Sequence, residues 1–340
     1  MNKKDNSVQS LRGLAIILIV MAHVIGYTSK EGMKAADHSF LRYLYYTFEY
    51  FRLPLFSVIS GWAYSLRPIS KDTWASFLTK KTRRLILPMI FVGLLYFFAR
   101  LFAPGINRPV DIDDLWKIFV FKYDLYWFLP SLFWVFIMIC LVEVQGWIKK
   151  FNGWLLFLII SLSILSISHF YLTSIPNYFG VMGSFYLLPF FIVGIGIERF
   201  RNFLFHKTFL WVIAFIFPIG ILLQQLFWFG FIDFPFQGKA SPLGLLVGIS
   251  GAILLFKIHF ISKWLVYIGG YSYTIFLFHA FGTAGSRIIL TGFGLTNQTI
   301  LFSVSLIVGL ILPILIDTVI DRYKITRLLL LGKKTIIPNS

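Results

Sequence analysis

Residues 10–24 read SLRGLAIILIVMAHV. From Gly13 to Ala22 no side chain is polar, and the segment holding this run extends over residues 8–28. A bilayer-crossing helix needs about 20 mostly apolar residues. A helix that is apolar all round is buried in protein or in lipid. This stretch therefore reads as a membrane helix, with two ionisable side chains, Arg12 and His23, near its ends. Working outward, nine further apolar segments follow at roughly 43–66, 84–103, 125–145, 153–173, 182–199, 208–228, 241–257, 265–285 and 299–319. The eighth, short and Gly-rich, is the weakest of them. Composition agrees: 58% of residues are hydrophobic, 19% aromatic and 13% charged, with a mean hydropathy of +0.80. Soluble domains carry roughly 25% charged residues, so this chain has too little polar surface to cover a water-soluble globule. The prediction is an all-α integral membrane protein with about ten transmembrane helices and a single domain over 1–340.

The net charge of +17 would suggest nucleic acid in a soluble protein. In a membrane protein it is read by location, because Lys and Arg concentrate in cytoplasmic loops. With the N-terminus inside, 20 Lys and Arg fall in inner segments and 8 in outer loops. Both termini are expected in the cytoplasm, and nucleic acid is not expected as a partner. The single cysteine, Cys140, excludes an internal disulfide. No metal site is expected. The first apolar segment is too long for the core of a cleavable signal and lacks a small-residue cleavage site. No internal repeat stands out.

Ionisable groups inside a membrane are costly and mark function by default. Arg12 and His23 are eleven positions apart, about 17 Å along a helix. Arg12 thus sits near the cytoplasmic surface and His23 in the outer half. Arg12 alone reads equally well as a snorkelling anchor, and His23 as a histidine bonded to a neighbouring helix. In FEYFRLPLFSVISGW, residues 48–62, Glu49 and Arg52 are three apart and would share a helix face as a pair. Counting inward from Arg42 puts Arg52 near the midplane. Pro54 frees a carbonyl there, and Ser60–Gly61 allows a second helix to approach closely. Arg83 and Arg84 open the third segment as an ordinary positive-inside cluster or as a phosphate clamp. Tyr126 and Trp127 begin the fourth segment on the outer side, where an aromatic belt explains them equally well. In the ninth segment Tyr273 falls near the middle and His279 in the outer half. Depth therefore sorts Arg12, Arg83 and Arg84 to the inner side and His23, Glu49, Tyr126, Trp127 and His279 to the outer half, with Arg52 between.

These stretches carry a resemblance. The Arg12-to-His23 spacing, FRLPLFSVISGW, RRLILP, YWFLPSLF, LLPFFIVGIGI and SYTIFLFH occur in order across segments one to nine. In this the chain resembles the acyltransferase-3 family of bacterial membrane acyltransferases. The resemblance implies a ten-helix protein of the plasma (inner) membrane. It implies transfer of an acyl group, commonly acetyl from cytoplasmic acetyl-CoA, to a hydroxyl of an extracytoplasmic glycan. His23 and Arg12 match the family's essential histidine and arginine, and Arg83 and Arg84 match basic residues thought to hold coenzyme A. His279 ends a matching pattern in which Phe276 replaces the usual Tyr. Leu125 and Tyr126 stand where a histidine often precedes Trp127. The appended soluble domain of some relatives is not expected here.

A sugar hydroxyl needs a base within hydrogen-bond reach, and a neutral imidazole suits that role. The expected roles are His23 as general base or acyl relay, Glu49 as its orienter, and Arg52 or Tyr126 as oxyanion stabiliser. The competing classes are an exporter of a glycan or small metabolite, and a partner subunit of a glycan-assembly complex. Against an exporter stands the lack of repeated halves with matching broken helices.

Overall fold

The computed structural model describes residues 5–121, 124–172, 174–233 and 238–334. Among them there is no strand. The helices are α1 (Asn6–Ile25), α2 (Phe40–Thr47), α3 (Arg52–Ser65), α4 (Trp74–Lys81), α5 (Leu87–Phe102), α6 (Lys117–Val120), α7 (Phe128–Val144) and α8 (Phe151–Tyr171). They continue with α9 (Val181–Arg199), α10 (Arg201–Leu204), α11 (Lys207–Trp228), α12 (Pro242–Ile258), α13 (Lys263–Gly270), α14 (Ser272–Gly292), α15 (Gln298–Ile320) and α16 (Lys324–Leu331). Eight helical runs among the described residues are long and apolar enough to cross a membrane. The pair α12–α13, bent by 120°, brings this to as many as nine. The chain is an all-α, multi-pass membrane protein.

Local chemistry explains where the helices start and break. Asp5 caps α1, its carboxylate accepting from the Ser7 and Val8 amides at 2.9 and 3.2 Å. The second apolar segment is split, and this corrects the expectation of one continuous helix. Pro54 has no N–H to offer the Tyr50 carbonyl and its ring would crowd that carbonyl. The chain therefore turns at residues 48–51 and restarts as α3, with Pro54 in the first helical turn. Glu49 lies in that turn, so it does not share a helix face with Arg52.

The third segment begins ten residues earlier than its sequence boundary. It passes from α4 through a π-helical turn at Thr82–Ile86 into α5. Pro88 again supplies the reason. In an α-helix its nitrogen would have to donate to the Arg84 carbonyl, which it cannot do. The wider π turn carries the backbone past this point, and the hydroxyl of Tyr273 donates to the Arg84 carbonyl instead.

The centre of the bundle is built on α1, α3 and α9. A side chain at Gly61 would strike the Phe191 carbonyl, and one at Gly194 would strike that of Val58. The two glycines thus let the α3 and α9 backbones touch. Such contacts carry helix association in lipid, where no hydrophobic force acts between helices. The outer helices show lipid-facing apolar surface, for example Leu156 and Ile159 on α8 and Trp211 and Phe215 on α11.

The ninth segment is also corrected. It divides into α13 and α14. Short α13 leans on the first turns of α1, where a side chain at Gly13 would meet the Leu265 carbonyl and one at Gly269 that of Gln9. Tyr273 is the second residue of α14 and so stands at the start of a span, not its middle. The Arg83 Nε donates to the Gly332 carbonyl at 3.1 Å. Through Gln9–Gly269, Tyr273–Arg84 and Arg83–Gly332, the first and last described stretches gather at one end of the bundle.

Candidate active site

His23 occupies the last turn of α1 and His279 the second turn of α14. Their rings stand with centroids 4.9 Å apart, tilted by 47°. His279 is fully buried. Its Nδ1 lies 2.9 Å from the Phe276 carbonyl and 3.0 Å from that of Ile275. Both partners are acceptors, so Nδ1 is assigned the proton and donates to them. That leaves the Nε2 lone pair, which has no hydrogen-bond partner among the described residues.

His23 is different. Protein surrounds its ring, yet the residue keeps solvent-accessible surface, so it lies in an accessible recess. The charges of Arg52 and Lys239 act on it together with His279. Arg52 is buried at the start of α3, with its guanidinium carbon 4.0 Å above the centre of the Tyr45 ring. Its Nη1 is 3.5 Å from the Tyr45 carbonyl. Among the described residues no carboxylate lies within ion-pair distance of Arg52. Glu49 makes no such pair either. Its charge acts on Tyr45, Tyr46, Tyr50 and Tyr186. The structure thus brings His23, His279 and Arg52 together, but does not join Glu49 to Arg52 or to His23.

Tyr126 and Trp127 arrive in a helical turn just before α7. The buried Tyr126 hydroxyl donates to the Leu277 carbonyl at 2.8 Å. It therefore ties that turn to the stretch of α14 carrying His279. The Lys239 ammonium lies 5.1 Å from the centre of a Trp127 ring and 5.4 Å from that of Tyr186. Ser60 donates to the Phe56 carbonyl of its own helix at 2.9 Å, next to the Gly61 contact.

Several residues here carried no role in the sequence reading. Lys239 counted only as an outer-loop charge. Asp124 counted only as one acid of a long loop, but its charge acts on His279. It adopts a left-handed backbone at φ 43°, a conformation uncommon for any residue but glycine. Its Oδ2 accepts from Arg100 at 3.2 Å and from the Tyr96 hydroxyl at 3.3 Å. No spacing rule connects residues 96, 100 and 124 to position 279.

At the opposite end of α1 stands half-buried Arg12. Arg84 is exposed there, and Arg83 is engaged by the Gly332 carbonyl. The chain thus carries a basic end and, about three helical turns away along α1, the His23–His279 pair. The family model for an acyltransferase domain matches residues 5–318. The chain belongs to the acyltransferase-3 family. A search of curated proteins found no match.

Acyl transfer needs a base for the incoming nucleophile and a positive group where negative charge develops on the carbonyl oxygen. This acyltransferase presents an accessible imidazole, His23, and an arginine whose charge acts on it, Arg52, with no carboxylate within ion-pair distance among the described residues. His279 contributes an oriented imidazole behind the first.

Proposed function

We propose that this membrane acyltransferase moves an acetyl group from cytoplasmic acetyl-CoA to a hydroxyl of an extracytoplasmic polysaccharide or glycolipid sugar. The observation that carries this reading is the His23–His279 pair beside Arg52, on the helix whose other end holds Arg12. Both termini lie in the cytoplasm on this reading, in keeping with the 20 inner and 8 outer Lys and Arg. The host membrane is a bacterial plasma membrane. The donor phosphates bind at the basic end near Arg12 and Arg84, and the thioester reaches the recess through the bundle.

His23 accepts the proton of the sugar hydroxyl as that oxygen attacks the thioester carbonyl. Arg52 stabilises the oxyanion. Tyr126 is less suited to this, because its hydroxyl proton is held by the Leu277 carbonyl. Collapse forms the ester and breaks the carbon–sulfur bond. The leaving thiolate takes the proton back from the His23 imidazolium, which regenerates the base.

The test is to incubate the purified protein with acetyl-CoA and detergent-solubilised envelope glycan, measuring free coenzyme A and glycan acetylation. Both should rise together and only with acceptor present. A glycan exporter would release no coenzyme A. A His23→Ala variant that retains full acetylation would remove the proposed base.

A further inference from the structure

Tyr186 is buried near the start of α9, yet its hydroxyl has no hydrogen-bond partner among the described residues. Buried polar groups nearly always have one, and an orphan calls for an explanation. An aromatic belt does not supply it, because belt residues reach the headgroups and Tyr186 is enclosed. Its neighbours place it. Helices α3 and α9 run side by side in one direction. Ser57 donates to the Leu187 carbonyl at 2.8 Å, and Gly61 meets Phe191 one turn further on. The same register puts Arg52 level with the first turn of α9, one turn before Tyr186. The Tyr45 ring beneath Arg52 stands 6.1 Å from that of Tyr27, four residues beyond His23. Tyr186 thus lies close to the level of the His23 recess, on a helix packed against the one that carries Arg52.

Lys239 reaches the same place from the turn before α12. The Ser241 amide donates to the Gly238 carbonyl at 3.0 Å. The Ser241 hydroxyl accepts from the Gly244 amide at 3.1 Å, which caps α12 and fixes the turn. The Lys239 ammonium stands 5.4 Å from the centre of the Tyr186 ring and 5.1 Å from that of a Trp127 ring. Trp127 itself packs on α9 three residues before Tyr186, where a side chain at Gly183 would strike its indole. Ring faces attract an ammonium and hold it in place. Arg52 and Lys239 both act on His23, and Glu49 is an acid whose charge reaches Tyr186. Two cations against that acid leave positive charge beside the base. A phenol hydroxyl donates once and also accepts, and an ammonium donates three times. Together they suit a ligand that offers sugar hydroxyls next to anionic oxygens.

We propose that Tyr186 and Lys239 form the acceptor subsite beside His23, and that the sugar unit taken there carries a negatively charged substituent, a carboxylate or a phosphate. The proposal rests on the reading that the acceptor is an extracytoplasmic glycan, and it narrows that reading to acidic glycans. Tyr186 holds a sugar oxygen and Lys239 holds the anionic group. Both set which acceptor is taken, and neither touches the reacting carbonyl.

The test uses the full chain in detergent with acetyl-CoA and envelope glycan separated by anion exchange into a retained, acidic pool and an unretained, neutral pool. The parent should acetylate the acidic pool with a kcat/KM per sugar unit about tenfold or more above the neutral pool, the scale of one charge-assisted contact. Reducing the carboxyl groups of the acidic pool, or removing its phosphates, shows which substituent is read. Lys239→Met should bring the two pools within about threefold of each other, and Lys239→Arg should keep the preference. Tyr186→Phe should lower kcat/KM by about three- to tenfold without lowering the melting temperature, since the hydroxyl it removes bonds nothing among the described residues. Thermal unfolding of every variant separates lost recognition from lost fold. A parent that acetylates the neutral pool equally or better overturns the proposal and leaves acyl transfer to a glycan standing. A preference that survives in a folded Lys239→Met protein overturns it too, as does an acidic pool whose rate neither chemical treatment lowers. An unchanged kcat/KM in Tyr186→Phe removes that residue from the subsite. Absence of coenzyme A release with either pool refutes the glycan reading itself, and the proposal falls with it.

Discussion

The imidazoles of His23 and His279 lie 4.9 Å apart, and only one of them is accessible. His279 is fixed from behind by two carbonyls of its own helix, which holds its proton on Nδ1 and turns Nε2 into an acceptor. An oriented acceptor next to a base can select that base's tautomer and stabilise its imidazolium, as second-sphere groups do in hydrolytic triads. On the proposed mechanism His279 acts through His23.

His279→Ala should lower kcat by about 10²-fold with little change in the donor KM, a loss within the range for general-base catalysis. His23→Ala should lose more. The double variant should be little worse than His23→Ala alone, because residues that act as a unit are non-additive. Steady-state kinetics on the three proteins decide this. Additive losses would mean that His279 works independently of His23.

Among the described residues no carboxylate lies within ion-pair distance of Arg52, whose charge acts on His23. Removing a preorganised oxyanion donor typically costs about 10²–10³ in kcat. Arg52→Met should lose activity on that scale while the fold survives, since an unbranched apolar side chain still fills the space beside Tyr45. Arg52→Lys should recover part of the loss. If Arg52→Met instead raised the acceptor KM alone, the residue would be a binding contact and not an oxyanion stabiliser.

The backbone contact between α3 and α9 at Gly61 tolerates no side chain. Gly61→Val should destabilise the bundle by about 1–3 kcal/mol or more, the cost of overpacking a filled core. Thermal unfolding in detergent is the readout. Gly285, inside α14 with nothing near its missing side chain, serves as the control. Equal melting of the Gly61→Val protein and its parent would show that the α3–α9 approach is looser than described.

Much of this was legible because a membrane helix converts residue number into depth. Arg12, His23 and His279 could be assigned to levels from spacing alone, since the rise per residue is fixed. That α1 and α14 are neighbours was not legible, because no spacing encodes which helices touch. The shared helix face of Glu49 and Arg52 and the mid-span place of Tyr273 failed for one shared reason. Both expectations assume an unbroken helix, and the chain breaks at residues 48–51 and again between α13 and α14. Pro54 signalled the first break through its freed carbonyl. Gly269 and Gly270 marked the second only weakly, since glycine weakens a helix without forbidding it. Lys239 and Asp124 escaped notice because loop residues have no periodicity from which a direction can be read.

The strongest link between sequence and structure at the basic end is the one from Pro88 to Tyr273. Pro88 cannot donate to the Arg84 carbonyl, and the Tyr273 hydroxyl does so in its place. Tyr273→Phe would remove that hydrogen bond, at a cost of about 0.5–1.5 kcal/mol. Pro88→Ala restores a backbone N–H at the position where an α-helix needs it. The carbonyl then has a second possible donor, and the π-helical turn at Thr82–Ile86 loses its cause. Tyr273→Phe should consequently destabilise the Pro88→Ala protein by less than it destabilises the parent. The difference between the two losses, measured as a double-mutant cycle on thermal unfolding, is the coupling between residues 185 positions apart. Zero coupling would mean that the tyrosine contact is incidental to the proline. A positive coupling has a functional corollary. Arg84 rides on that turn, so Pro88→Ala should also rotate its side chain and weaken donor binding even though residue 88 carries no charge.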